Sequence, residues 1–149
     1  MQLKKLTDSD TLEFFMVDNS VSMELPFFAS KISAGFPSPA DDYVELKLDL
    51  NQHLIKHPAA TFYVRVKGNS MIDANIHEGD ILIVDRALEA KNNDIIIGVL
   101  NGEFTVKRLK KTKSGIVLNP ENTEFKPIKI SSDADFQIWG VISYIIHKA

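Results

Sequence analysis

The 149-residue chain contains no cysteine. Disulfide frameworks, zinc ribbons, CxxC redox sites and thiol nucleophiles are therefore excluded together, and nothing requires an oxidising compartment. Long apolar runs are missing too. The stretches Ile95 to Leu100 and Trp139 to Ile146 fall well short of the ~20 residues that span a bilayer. No apolar segment of the secretory kind follows the two lysines of MQLKKLTDSD, so no membrane association is expected and the cytoplasm is the expected address. Charge of one sign is lacking: 17 Lys plus Arg face 20 Asp plus Glu, a net charge of −3. Residues 1–34 hold three basic and five acidic groups and residues 35–149 hold 14 and 15, so neither portion is a nucleic-acid-binding arm by net charge. The four histidines, His53, His57, His77 and His147, show no HxH or HxxxH spacing, and no metal or other cofactor is expected.

What is present is an ordinary globular composition, 44% hydrophobic and 25% charged, enough for one domain with a core. The clearest break falls at Ser33-Ala34-Gly35-Phe36-Pro37-Ser38-Pro39-Ala40, where small residues, glycine and two prolines oppose helix and favour an extended linker. That divides the chain into an N-terminal arm, 1–34, and a second part, 35–149. In the arm, Thr11 to Val17 and Leu25 to Ala29 are apolar clusters too short to stand alone, and the phenylalanines at 14, 15, 27 and 28 suggest that the arm packs on the rest. Helix is expected at most in the first twenty residues, near Asn51 to Lys56 and after Ser70.

The second part reads as mostly β. Val44, Leu46, Leu48 and Leu50 alternate with polar neighbours, and Thr61 to Val66 does so less strictly. Ile81 to Val84, Asp94 to Leu100, Glu103 to Leu109, Ile116 to Leu118 and Phe136 to Ile146 are further expected strands. Asn101-Gly102 is a strong signal for a two-residue hairpin turn. It pairs Leu100 with Glu103, Gly98 with Thr105 and Ile96 with Lys107, and so places Lys107 on a face with Ile96, Gly98, Leu100 and Leu109.

An ammonium group in such an apolar setting has its pKa lowered by desolvation, and a neutral amine can take the proton of a serine hydroxyl. Val66-Lys67-Gly68-Asn69-Ser70-Met71 supplies a serine just past a strand, behind a glycine that allows a sharp turn. Backbone N–H groups there, those of Asn69 and Ser70, are candidates for an oxyanion hole. Taken locally, both residues keep ordinary readings, Ser70 as a turn former and Lys107 as a snorkelling surface lysine. The basic run Lys107, Arg108, Lys110, Lys111 and Lys113 reads as a solvated face. Asp73, Asp80 and Asp85 read as turn and strand-end residues.

Gly68-Asn69-Ser70-Met71, Gly79-Asp80-Ile81-Leu82-Ile83-Val84-Asp85 and Asn101-Gly102-Glu103-Phe104-Thr105-Val106-Lys107-Arg108-Leu109 together resemble the self-cleaving serine peptidases of the LexA repressor and UmuD group. Phe36-Pro37-Ser38-Pro39-Ala40, Asp49-Leu50-Asn51 and Ile138-Trp139-Gly140-Val141 extend the likeness, on the UmuD side, from about Gly35 to the end of the chain. The resemblance implies a LexA-like β-rich peptidase domain of short twisted strands and hairpins that also dimerises. It implies Ser70 as nucleophile, Lys107 as general base and Ala34-Gly35 as the bond cut, releasing residues 1–34. Ala34 and Gly35 are also slim flanks, as a partly buried site requires. Further implications are stimulation by RecA filaments on single-stranded DNA in the SOS response, and a trimmed homodimer serving a Y-family, UmuC-like translesion polymerase. Thirty-four residues are too few for the helix-turn-helix domain of the repressors, so no operator binding is expected. Ala34 stands where UmuD proteins often have cysteine, and Asn69 where aspartate is common. The same fold acting only as a dimeric polymerase-binding module is the alternative.

Overall fold

The computed structural model describes residues 3–8, 12–18, 20–28, 35 and 45–149. Strands dominate: β1 (Leu3–Asp8), β2 (Leu12–Val17), β3 (Glu24–Phe28), β4 (Glu45–Asp49), β5 (Thr61–Val66), β6 (Ile81–Asp85), β7 (Ile95–Leu100), β8 (Glu103–Thr112), β9 (Gly115–Asn119), β10 (Ile128–Ile130) and β11 (Phe136–Ile146). Among the described residues, helix is limited to one short α1 (Leu50–Leu54) and two 3₁₀ turns, Pro58–Ala60 and Ile72–Ala74. Asp49 caps α1 by accepting a hydrogen bond from the Asn51 N–H, which satisfies one of the free amides of the first turn.

Nine strands form one antiparallel sheet in the order β1-β2-β5-β6-β11-β7-β8-β9-β10, and β3 pairs with β4 in a separate ribbon. The β7–β8 hairpin has the register expected from its turn: Leu100 faces Glu103, Gly98 faces Thr105 and Ile96 faces Lys107. Asn101 and Gly102 have φ of 51° and 81°, the paired positive values that match a tight turn to the twist of its strands.

The sheet is not flat. Five strand-to-strand steps separate β2 from β8, which in a flat sheet is about 24 Å. Yet the rings of Phe14 and Phe104 are 4.5 Å apart. The sheet therefore rolls until its two flanks meet across one inner face. That face holds Leu12, Phe14, Val64, Val66, Met71, Ile76, Leu82, Val84, Ile97 and Val106. Alternate residues of the same strands fill smaller clusters on the outer face, Ile96 with Leu109 and Leu118 at one end and Phe15 with Tyr63 and Ile83 at the other. Two register shifts in β11, around Trp139 against β7 and around Ser143 against β6, are bulges of the kind that sharpen twist. Trp139 meets both Phe14 and Phe104 edge-on, at 5.1 and 5.9 Å.

The expectation of helix in the first twenty residues is corrected: the described residues there form β1 and β2. The adjacent phenylalanines Phe14 and Phe15 enter clusters on opposite faces, which a strand permits and one face of a helix does not. The free edge of β5 supplies the hydrogen-bond ladder that so short a segment could not supply to itself. β1, β3 and β10 carried no strand expectation and are also new. Within the 33–40 break only Gly35 is described, exposed and in a turn at φ +88°. Ala34 and Phe36 to Ala40 lie outside the described residues.

Candidate active site

Ser70 sits on a loop that leaves β5 and returns to β6. The loop is closed at its neck by Val66 N–H to Asp80 O (2.9 Å) and Gly79 N–H to Val66 O (2.8 Å). Gly68, at φ +97°, turns the chain in a conformation that an L side chain would strain. A second turn follows, with Ile72 N–H donating to Asn69 O at 3.2 Å, so Ser70 occupies its corner. Met71 and Ile76, both buried in the inner cluster, anchor the loop on either side of the following 3₁₀ turn.

Lys107 approaches from β8. Four strand steps separate β5 from β8, about 19 Å in a flat sheet, yet Lys107 Nζ lies 3.3 Å from Ser70 Oγ on the loop after β5. Lys107 is 9% exposed. Burial lowers its pKa from the usual lysine value, because the charged form loses hydration. No carboxylate among the described residues pairs with it to offset that effect. The expected apolar face is only half of its setting. Lys107 Nζ also donates to Thr105 Oγ1 at 2.7 Å and to Val106 O at 3.0 Å. In the neutral form, two N–H bonds directed at Thr105 and Val106 leave the amine lone pair free to accept the Ser70 proton.

The two halves are braced by the loop after β9. Asn122 donates from Nδ2 to Asn69 O at 2.8 Å, and the Asp73 N–H donates to Glu121 O at 2.7 Å. The Glu121 carboxylate in turn accepts from Arg108 Nε, next to Lys107 on β8. A chain of contacts thus fixes the serine loop to the strand that carries the lysine. No carbonyl among the described residues accepts from the backbone N–H of Asn69 or Ser70, which leaves those donors available to a developing oxyanion. A cleft of about 150 Å³ opens over Ser70, walled by Leu12, Val66, Met71, Ile76, Val106 and Phe125. A serine, a desolvated amine and free N–H donors beside a narrow apolar cleft are the parts of an acyl-transfer site.

Residues 26–143 match the family model described as Peptidase S24-like. The chain belongs to the peptidase S24-like family. Among its relatives, protein MucA of Salmonella typhimurium is 43% identical over 121 residues, 80% of this chain and 82% of that protein. Protein SamA of Salmonella typhimurium strain LT2 is 44% identical over 128 residues, 86% of this chain and 89% of that protein. The LexA repressor of Bordetella avium is 39% identical over 122 residues, 82% of this chain but 57% of the repressor. The LexA/UmuD-type resemblance read from the motifs and the mostly β, LexA-like fold agree with this S24-like membership.

Other expectations for this S24-like chain come out differently in part. Four members of the basic run are not simply solvated: Arg108 and Lys110 bond Asn93, Lys111 Nζ bonds Ala90 O at 2.9 Å, and Lys107 faces Ser70. His57 and His147 pair with the buried carboxylates of Asp85 and Asp80 at 2.6 and 2.8 Å, and no histidine among the described residues hydrogen-bonds Ser70. Thr105, Glu121 and Asn122 were not singled out in the sequence. For Thr105 the signal was there, since residues two apart on a strand share a face. Asn122 carried none, because only the folded loop brings it to Asn69. No helix among the described residues is long and apolar enough to cross a membrane.

Proposed function

We propose that the chain is a self-cleaving serine peptidase in which Ser70 attacks the Ala34 carbonyl and Lys107 is the general base. The observation that carries this reading is the 3.3 Å approach of a buried, desolvated amine to the Ser70 hydroxyl. Lys107 takes the Ser70 proton as Oγ bonds to the Ala34 carbonyl carbon. The oxyanion is received by the N–H groups of Asn69 and Ser70. Collapse breaks the Ala34–Gly35 bond, and the Lys107 ammonium returns its proton to the departing Gly35 amine. Water then hydrolyses the ester on Ser70. No metal or cofactor takes part.

The likeness to MucA, SamA and LexA repressor supports the wider role. In it, a cytoplasmic homodimer is cut in the SOS response when RecA filaments assemble on single-stranded DNA. The trimmed dimer then serves a Y-family, UmuC-like polymerase in translesion synthesis without binding operator DNA itself. Incubating purified protein at mildly alkaline pH, with and without activated RecA filament, and recording intact masses tests the chemistry. Fragments 1–34 and 35–149 are expected, and neither Ser70→Ala nor Lys107→Ala should form them. A chain that stays whole in all conditions, or a variant that still cuts at the same bond, overturns the assignment and favours a non-catalytic polymerase-binding module.

A further inference from the structure

The strand β2 lies ahead of the proposed cut yet is built into the sheet on the far side of it. It pairs with β5 from Leu12↔Val66 to Met16↔Phe62. Both of its faces are covered over residues 12 to 15, whereas Met16 is exposed. Leu12 and Phe14, 2% and 1% exposed, fill the inner cluster, while Phe15 packs outside with Tyr63 and Ile83 beneath the Arg65 guanidinium at 5.2 Å. The matched family region begins at residue 26, and the β1–β2 hairpin lies ahead of it. A second pairing crosses the cut: β3 and β4 are in register from Glu24↔Asp49 to Phe28↔Glu45.

We propose that the edge of β5, with the pockets filled by Leu12, Phe14 and Phe15, is a groove for an extended peptide. Its occupant is the chain's own segment 12–17, and that segment stays bound after the chain is opened between residues 34 and 35. Main-chain ladder bonds supply the hold. Two neighbouring aromatic rings on opposite faces supply the selectivity, as in other cases of strand addition. Because β2 and β3 grip separate parts of 35–149, each keeps the other at high local concentration once the covalent link is gone. Cutting and release thus become separate events. Retention also preserves the active-site cleft, since Leu12 is one of its walls.

The test is independent of how the chain is cut. In full-length Ser70→Ala, a recognition sequence for a site-specific protease is inserted after Ala34, and the protein is cut with that protease. Native mass spectrometry and size exclusion at micromolar concentration should then show both fragments as a 1:1 complex that separates only in denaturant. Separation in native buffer overturns the proposal. In the same background, Phe14→Ala or, on the opposite face, Phe15→Ala should speed loss of the arm at least tenfold. Circular dichroism before cutting identifies which variants fold. A folded variant that holds its arm as long as the parent overturns the groove assignment. None of these outcomes bears on Ser70 and Lys107, which the self-cleavage experiment tests separately.

Discussion

The Thr105 hydroxyl lies closer to Lys107 Nζ than the Ser70 hydroxyl does, 2.7 Å against 3.3 Å. Two residues apart on β8, Thr105 and Lys107 project on one side of the strand, and the threonine fixes where the amine points. Thr105→Val keeps the shape and removes the hydrogen bond. In the proposed mechanism it slows self-cleavage at its pH plateau about tenfold, equivalent to ~1.4 kcal/mol in the barrier, with the fold retained. An unchanged plateau in a timed gel assay would show that Val106 O alone orients the amine, whereas Thr105→Ser should recover most of the rate.

Burial of Lys107 lowers its pKa, and the sign of the consequence for stability follows. Below the folded-state value both folded and unfolded chains carry the proton, and the folded state bears the cost of a buried charge. Between the folded-state value and the unfolded value of about 10.4, the unfolded chain binds more protons, so stability rises with pH. Lys107→Met removes the titration. Its Tm relative to the parent Ser70→Ala protein should therefore be highest near neutral pH and fall as pH is raised toward 10. A difference that does not vary with pH would mean that Lys107 has no lowered pKa. Cleavage by wild-type protein should climb over the same alkaline side as the neutral amine accumulates.

Asn122 is nearly buried, and its amide does two things: Nδ2 donates to Asn69 O, while Oδ1 accepts from the Glu124 N–H at 2.9 Å. Asn122→Ala removes both bonds at the back of the serine loop. The expected result is a loss of about 1–3 kcal/mol in stability, read by urea titration. Self-cleavage should also slow under conditions where the variant is fully folded. If the rate is untouched, the anchoring of Met71 and Ile76 alone holds Ser70 in place.

The parts of the fold that sequence made legible are those governed by neighbours in the chain. Asn101-Gly102 dictated the β7–β8 register, and with it the position of Lys107 opposite Ile96, because a tight turn leaves only one pairing. The roll of the sheet was not legible. It depends on bulges at Trp139 and Ser143 and on packing between Phe14 and Phe104, residues 90 positions apart by their numbers. The Ser70–Lys107 contact joins the loop after β5 to β8 across 37 positions of sequence, so the local pattern could nominate each residue without joining them. Resemblance to a known group supplied the link. The first strands escape the sequence for a related reason: LEFFMV has the length of a marginal helix, and its strand form depends on the neighbours β1 and β5.

Gly140 provides a test of how tightly the rolled sheet is closed. It lies on β11 just after the bulge at Trp139, and a Cβ there would come within 2.6 Å of Val84 Cγ1 and 3.3 Å of Arg86 Cγ. Val84 is fully buried in the inner cluster, and its branched side chain has few rotamers in which to retreat. The Arg86 guanidinium is occupied as well, lying 4.6 Å over the Trp139 ring, with Nε donating to Trp139 O. Gly140→Ala should therefore destabilise the fold by about 1–3 kcal/mol through overpacking, seen as a lower urea midpoint with an unchanged slope. A second change that makes room, Val84→Ala, should destabilise less in the Gly140→Ala background than in the wild type, because the methyl groups it removes are those the new Cβ strikes. Additive losses in that double-mutant cycle would place the cost elsewhere, in the backbone of the bulge rather than in the contact with Val84.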